Sequence, residues 1–109
     1  AITTPQGLHL SISGTASIAP GGESLHQGDT SAQVDLTLDV VGAILASRGL
    51  DWGDTVRAIA YWRRAEDAPL LDERCRARSI PILPAVPVEA TVCRDDLLFE
   101  LELDAWRAW

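Results

Sequence analysis

Residues 97 to 106 read LLFELELDAW. In an extended strand successive side chains leave opposite faces, so Phe99, Leu101 and Leu103 share one side while Leu98, Glu100, Glu102 and Asp104 share the other. A strand with one oily and one acidic face has to bury the first against a core. It presents the second to solvent, to a ligand or to opposite charge.

The rest of the chain supplies partners for that oily face. The run LHLSIS, residues 8 to 13, alternates large apolar with small polar residues and ends at Gly14, as a half-buried strand does. Residues 19 to 29, APGGESLHQGD, form a turn-rich connection. From Asp29 the period changes: Val34, Leu38, Val41 and Leu45 recur at helical spacing. Asp29, Thr30 and Ser31 offer capping side chains and Gly49 stands just past the end, which predicts a helix of about 18 residues. After DWGD, the run TVRAIAYW (55 to 62) suits a central strand, being rich in β-branched, small and aromatic residues. A second helix is expected over about 67 to 78, with Pro69 in its first turn and Leu70, Leu71, Arg74, Cys75 and Arg78 at spacings of three and four. SIPILPAVP, with three prolines, is an extended crossing segment. VEATVC and LLFELELDAW then close the chain as two strands around an RDD turn. The plan is α+β: a mixed sheet with two helices packed on one face, in a single domain over residues 1 to 109.

Composition narrows the function. The 109 residues are 47% hydrophobic with a net charge of −7, and all nine basic residues are arginine. An acidic chain is a poor match for non-specific nucleic-acid binding. The lack of lysine removes Schiff-base and Walker-type phosphate chemistry. There is neither a long apolar span nor a signal-peptide pattern, so no membrane partner is expected and a cytoplasmic location is the default. Cys75 and Cys93 lie 18 residues apart with only His9 and His26 for company, so two reduced thiols are expected rather than a disulfide or a zinc site, and no metal or cofactor. Packing in a core or interface is the expected role of Trp52, Trp62, Trp106 and Trp109.

If the last two strands pair as a hairpin, Glu89 comes opposite Glu100, with Thr91 and Cys93 on the same polar face. Two carboxylates facing each other away from water cannot both ionise cheaply, so one keeps its proton near neutral pH and Glu100 becomes a candidate general acid. Cys93 looks out of the same wall. The same alternation also describes an ordinary solvated sheet face, and Cys93 alone also reads as a small buried hydrophobe.

Three segments carry a likeness. SISGTASI resembles the Ser-Gly strand of the RidA/YjgF family, AQVDLTLDVVGAILASRGLDWGDTVRAIAYW its glutamine-led helix and following strand, and LLFELELDA its closing Glu-x-Glu strand. Together they cover about residues 8 to 105. The resemblance implies a chorismate-mutase-like α+β subunit, homotrimers, and ligand clefts between subunits. Ser13, Gly14 and Glu100 match the cleft positions shared by the fold. The Pro-Ala-Arg motif of the family's imine deaminases reads Pro84, Ala85, Val86 here, which removes the arginine that holds a substrate carboxylate. VCRDDLLFE is similar to the closing segment of the chorismatases, which share the fold and release pyruvate from chorismate. That likeness implies Glu100 as the acid protonating the enolpyruvyl methylene, and Cys93 as the mark of the 3-hydroxybenzoate-forming branch. A substrate dianion wants arginines. Arg57, Arg63, Arg64 and Arg94 are the candidates, with hydroxyl and backbone contacts from Ser13, Gly14 and Thr15 and a further carboxylate from Glu89; for each arginine a solvated surface role stays open. Chorismatases are roughly three times as long as this chain, so two arrangements also stay open, a C-terminal domain of a larger enzyme or a shorter stand-alone relative.

Overall fold

The computed structural model describes residues 2–19, 21–90 and 96–109. Its strands are β1 (Ile2–Thr3), β2 (Gly7–Thr15), β3 (Thr55–Trp62), β4 (Ala85–Glu89) and β5 (Phe99–Ala108), and its helices are α1 (Thr30–Ser47) and α2 (Leu70–Ala77). The strands form one mixed sheet in the order β1-β2-β5-β3-β4. β5 runs antiparallel to both β2 and β3, while β3 and β4 are parallel.

Both helices cover the same face. Val34, Leu38, Val41 and Leu45 of α1 and Leu71 and Cys75 of α2 enter one core with Leu10 and Ile12 of β2, Ala58, Ala60 and Trp62 of β3, and alternate residues of β5. On β5 Phe99, Leu101, Leu103 and Ala105 are fully buried, as their alternation requires. The rings of Trp62 and Phe99 meet at a tilt with centroids 4.6 Å apart.

The helices begin and end where their side chains direct. Asp29 accepts a hydrogen bond from the Ala32 N–H at 3.0 Å and so satisfies one of the free donors of the first turn of α1. Past the other end Gly49 takes φ +72°, a left-handed conformation that lets the Leu50 N–H turn back to the Leu45 carbonyl at 2.9 Å. α2 is shorter than its periodicity predicts. A 3-10 turn over Ala65–Asp67 precedes it, and the regular helix begins after Pro69. Arg74 of α2 and Arg78 just past its end, one turn apart, grip two aspartates one turn apart on α1. Arg74 donates to both Asp35 carboxylate oxygens at 2.9 and 3.0 Å, and Arg78 pairs with Asp39.

The expected terminal hairpin does not form. β5 is inserted between β2 and β3, and β4 lies on the far side of β3 at the sheet edge. The crossover through α2 carries the chain to a strand parallel to β3, the arrangement that a helix-containing connection allows. β4 also starts earlier than expected, at Ala85 inside the proline-rich segment, and Thr91 and Cys93 of the expected strand lie outside the described residues. A two-residue strand at Ile2–Thr3 pairs with Leu8 and His9 of β2.

One buried polar side chain joins the pieces. Gln33, with no exposed surface, donates to the Asp96 carbonyl at 2.9 Å and reaches the Leu25 and His26 carbonyls, while its Oε1 accepts from the Leu98 N–H at 2.8 Å. Replacing it strands buried backbone groups on the segment that leads into β5. Gln33→Leu should lower unfolding free energy by about 2–4 kcal/mol, measured by denaturant titration; a change below about 0.5 kcal/mol would show that the network carries no weight.

Cys75 is fully buried on α2, and burial, followed by the nearby Asp72 charge, pushes its thiol from 9.0 up to about 11. The unfolded chain therefore releases this proton more readily, so its stabilising contribution is complete below pH 9 and is lost as pH rises through about 11. The stability difference between the wild type and Cys75→Ala should shrink from pH 8 to pH 11. A pH-independent difference would show that Cys75 is not the titrating group.

Candidate functional site

The sheet face away from the helices carries the acidic side of β5. In register across from it on β3, Tyr61 faces Glu100, Ile59 faces Glu102 and Arg57 faces Asp104. On the other flank β2 pairs Ser11 with Asp104 and then loses register between Ile12 and Thr15, so Ser13 and Gly14 occupy an irregular stretch beside Glu102 and Glu100. Such bulges re-aim the chain locally and are frequent beside ligand sites.

Arg57 organises the charge on this face. Its two terminal nitrogens donate to Glu102 Oε2 at 3.0 and 2.6 Å, and its guanidinium lies 3.4 Å from Asp104. His9 adds a contact to Asp104 at 3.8 Å. Glu100 makes no ion pair or hydrogen bond among the described residues. It packs instead against bare backbone: a Cβ at Gly14 would collide with its Oε1 and lie 2.7 Å from its Cδ. The absence of a side chain at Gly14 is therefore what lets the Glu100 carboxylate lie over β2.

Apolar groups complete this end of the face. Ala16 and Leu97 are buried together, with Ile18 and Tyr61 packed on them. Arg63 fixes Leu97, since its Nε donates to the Leu97 carbonyl at 2.8 Å and its backbone N–H to Leu98. Ser13 and Gly14 are exposed, and the Thr15 hydroxyl turns back to the Ser13 carbonyl at 2.9 Å.

The structure thus brings together Ser13, Gly14, Thr15 and Glu100, and places Arg63 behind Leu97. Arg57 lies further along the face, committed to Glu102 and Asp104. Glu89 is elsewhere. It pairs with Trp62, so it shares the helix side of the sheet, and its carboxylate accepts from the Ala65 N–H at 3.0 Å. Glu89 and Glu100 are separated by β3 and leave opposite faces, because β4 pairs with β3 rather than β5; the expected pair of facing carboxylates is not built. Cys93 and Arg94 lie outside the described residues. Arg64 is exposed at the 3-10 turn after β3.

Sequence reasoning missed Tyr61, Ala16 and Leu97. The alternation Arg57, Ile59, Tyr61 was present, but it pairs with Glu102 and Glu100 only once β3 is placed beside β5. A cavity of about 140 Å³ between Trp62, Leu71, Asp72 and Pro87 opens on the helix side and is separate from this cluster. Among the described residues no three metal-ligating side chains converge, and no helix is long and apolar enough to cross a membrane.

A mixed sheet with β5 inserted between β2 and β3, two helices on one face and a glutamate set against a strand-end glycine on the other define a RidA/YjgF-type fold. The YjgF gene product of E. coli superposes with a TM-score of 0.76 at 26% identity, over 94% of this chain and 86% of that one. A solved chorismatase gives 0.75 at 27% identity, over 89% of this chain and 32% of that one. In sequence the chain is similar to 3-hydroxybenzoate synthase of Streptomyces hygroscopicus, 38% identical over 100 residues, which is 84% of this chain and 29% of that protein. It is also similar to a chorismatase of the same organism, 30% identical over 107 residues, or 90% of this chain and 31% of the relative. The chain therefore spans about 30% of the length of the curated relatives it matches. No protein-family model matches it.

Gly14→Ala tests the contact that defines the site. The atoms in the way are the far end of a flexible side chain, so the unfolding midpoint should move by no more than a few degrees. The Glu100 carboxyl signal, followed by 13C NMR, should shift clearly; an unmoved signal would mean that Gly14 does not set the carboxylate's position.

Proposed function

We propose that the chain is a chorismatase-type domain that releases pyruvate from chorismate, with Glu100 as the proton donor. The observation that carries this is the placement of Glu100: it is held against Gly14, left out of the Arg57 ion pairs, and set beside the apolar Tyr61, Ala16 and Leu97. Similarity to 3-hydroxybenzoate synthase across most of this chain supports the choice of chemistry.

In this mechanism the Glu100 carboxyl protonates the methylene carbon of the enolpyruvyl ether, and positive charge develops at the ether carbon. The carboxylate left behind stabilises that charge and is placed to take a proton back. Addition of water and cleavage of the ether C–O bond give pyruvate and a dihydrodiol. Dehydration of that diol, with the second ring hydroxyl and a ring proton leaving as water, gives 3-hydroxybenzoate, so that the second course consumes no net water. Cys93 is the proposed partner that selects the second course. Ser13 and Thr15 offer hydroxyls, and Gly14 a backbone N–H, at the cleft edge. Arg63 is the nearby cation for a substrate carboxylate, whereas Arg57 acts by holding Glu102 and Asp104 away from it; Glu89 has a structural role.

A homotrimer is part of the proposal, with the cleft completed by a neighbouring copy. The exposed Val86 and Val88, 60% and 37% accessible on the same face as Glu100, suit such burial. One observation favours a second reading, a non-catalytic RidA-like subunit: Arg57, the arginine in register with the acids of this face, is already held by Glu102 and Asp104.

Pyruvate release from chorismate, followed through coupled NADH oxidation, separates the two. Glu100→Gln should fold normally and lower turnover by at least about a hundredfold, as removal of a general acid does. A wild-type protein that releases no pyruvate would favour the binding subunit, and a Glu100→Gln variant with unchanged turnover would remove Glu100 from the mechanism.

A further inference from the structure

We propose that Tyr61 is the ring-binding residue of the Glu100 site, and that the site selects a cyclic carboxylate over an acyclic one. This deepens the reading of Glu100 as a ligand-facing acid and rests on it for the location of the site.

Tyr61 and Glu100 are direct cross-strand partners on β3 and β5. Their side chains leave the same face with Cβ atoms about 4.5–5.5 Å apart. Tyr61 packs on the buried Ala16 and Leu97 yet remains half-exposed, so the side chain is braced on one side and offers the other. Gly14 contributes no side chain in front of Glu100, and Arg57 holds the other two acids of the face in ion pairs. What remains beside the Glu100 carboxylate is an aromatic surface with an apolar surround. Aromatic side chains bind flat rings by offset or edge contact, adding area that a three- or four-carbon acid cannot use. Such a site gains most from a ligand that pairs a six-membered ring with polar substituents at its rim.

Tyr61 is the single tyrosine of the chain, which makes a direct test available. Protein carrying 13C-labelled tyrosine is titrated with 3-hydroxybenzoate and, separately, with pyruvate, and affinities are measured in parallel for Tyr61→Phe, Tyr61→Val and Tyr61→Leu. The expected result is saturable binding of 3-hydroxybenzoate that shifts the lone tyrosine ring signal and gives cross-peaks to the ligand ring. Affinity should stay within threefold in Tyr61→Phe and fall at least tenfold in Tyr61→Val or Tyr61→Leu, with unfolding midpoints within a few degrees. Pyruvate should leave the ring signal unmoved. No saturable 3-hydroxybenzoate binding, or binding that leaves the tyrosine signal unmoved, would overturn the proposal even if neither aliphatic variant folds; so would equal affinity in the wild type and Tyr61→Val. Turnover is scored separately. Tyr61-dependent ring binding without pyruvate release would sink the catalytic reading and keep this one, whereas pyruvate release with an unchanged KM in Tyr61→Val would do the reverse.

Discussion

The buried amide of Gln33 fixes where β5 begins, and with it the position of every acidic residue on the open face. A glutamine with no exposed surface is tolerated only if its donors and acceptor are satisfied, and here they are satisfied by two separate stretches of chain, at Leu25 and His26 and at Asp96 and Leu98. Its Oε1 accepts from the Leu98 N–H, two residues before Glu100, so helix α1 sets the register of β5 directly. Ser24 adds a second tie to the same segment through Asp96 at 2.8 Å, and Arg63 a third through the Leu97 carbonyl. A slip of one residue in β5 would send Phe99 and Leu101 outward and Glu100 into the core, a change that no surface ion pair could offset.

With the register fixed, the open face divides its three acids by what neighbours them. Arg57 stands on the strand beside Glu102 and Asp104 and holds both, while Glu100 meets Gly14 on one flank and Tyr61 on the other. The pairs of Arg57 are half-exposed, worth about 0–1 kcal/mol in stability. Their larger effect is local, since they cancel like-charge repulsion along β5 and leave one carboxylate available for other chemistry. Its distinction comes from the strands on either side of it, because the alternation of β5 treats Glu100, Glu102 and Asp104 alike.

That difference explains what the sequence could and could not disclose. The helix at Thr30–Ser47, the strand at Thr55–Trp62 and the inward face of β5 follow from periodicity and capping within one segment, and all are found where those signals place them. The neighbours of β5 depend on contacts between segments far apart in sequence. Adjacent strands in sequence usually pair, so β4 beside β5 was the natural expectation; the parallel crossover through α2 defeats it and carries Glu89 to the other face. Tyr61 was hidden for the same reason, as its significance comes from a partner 39 positions away. Resemblance to the RidA/YjgF family supplied Gly14 and Glu100 as a pair, and the bulge in β2 gives the physical ground for it.

The charge balance of the face bears on what must complete a site for a doubly charged ligand. Two carboxylates brought to Glu100 need cations within hydrogen-bonding reach, since an uncompensated anion loses more in desolvation than an apolar patch returns. Arg57 is committed to two acids of its own strand neighbour, and withdrawing it would leave Glu102 and Asp104 unpaired. Arg63 already spends its Nε on the Leu97 carbonyl, although its side chain lies behind the apolar end of the site. On the reading proposed above, a dianion would therefore need cationic partners in addition to Arg57, which the acids of β5 already hold. A monocarboxylate would make a smaller demand on such partners. Under that reading the charge of the ligand sets how many cations the site must supply, while its ring sets the contact with Tyr61.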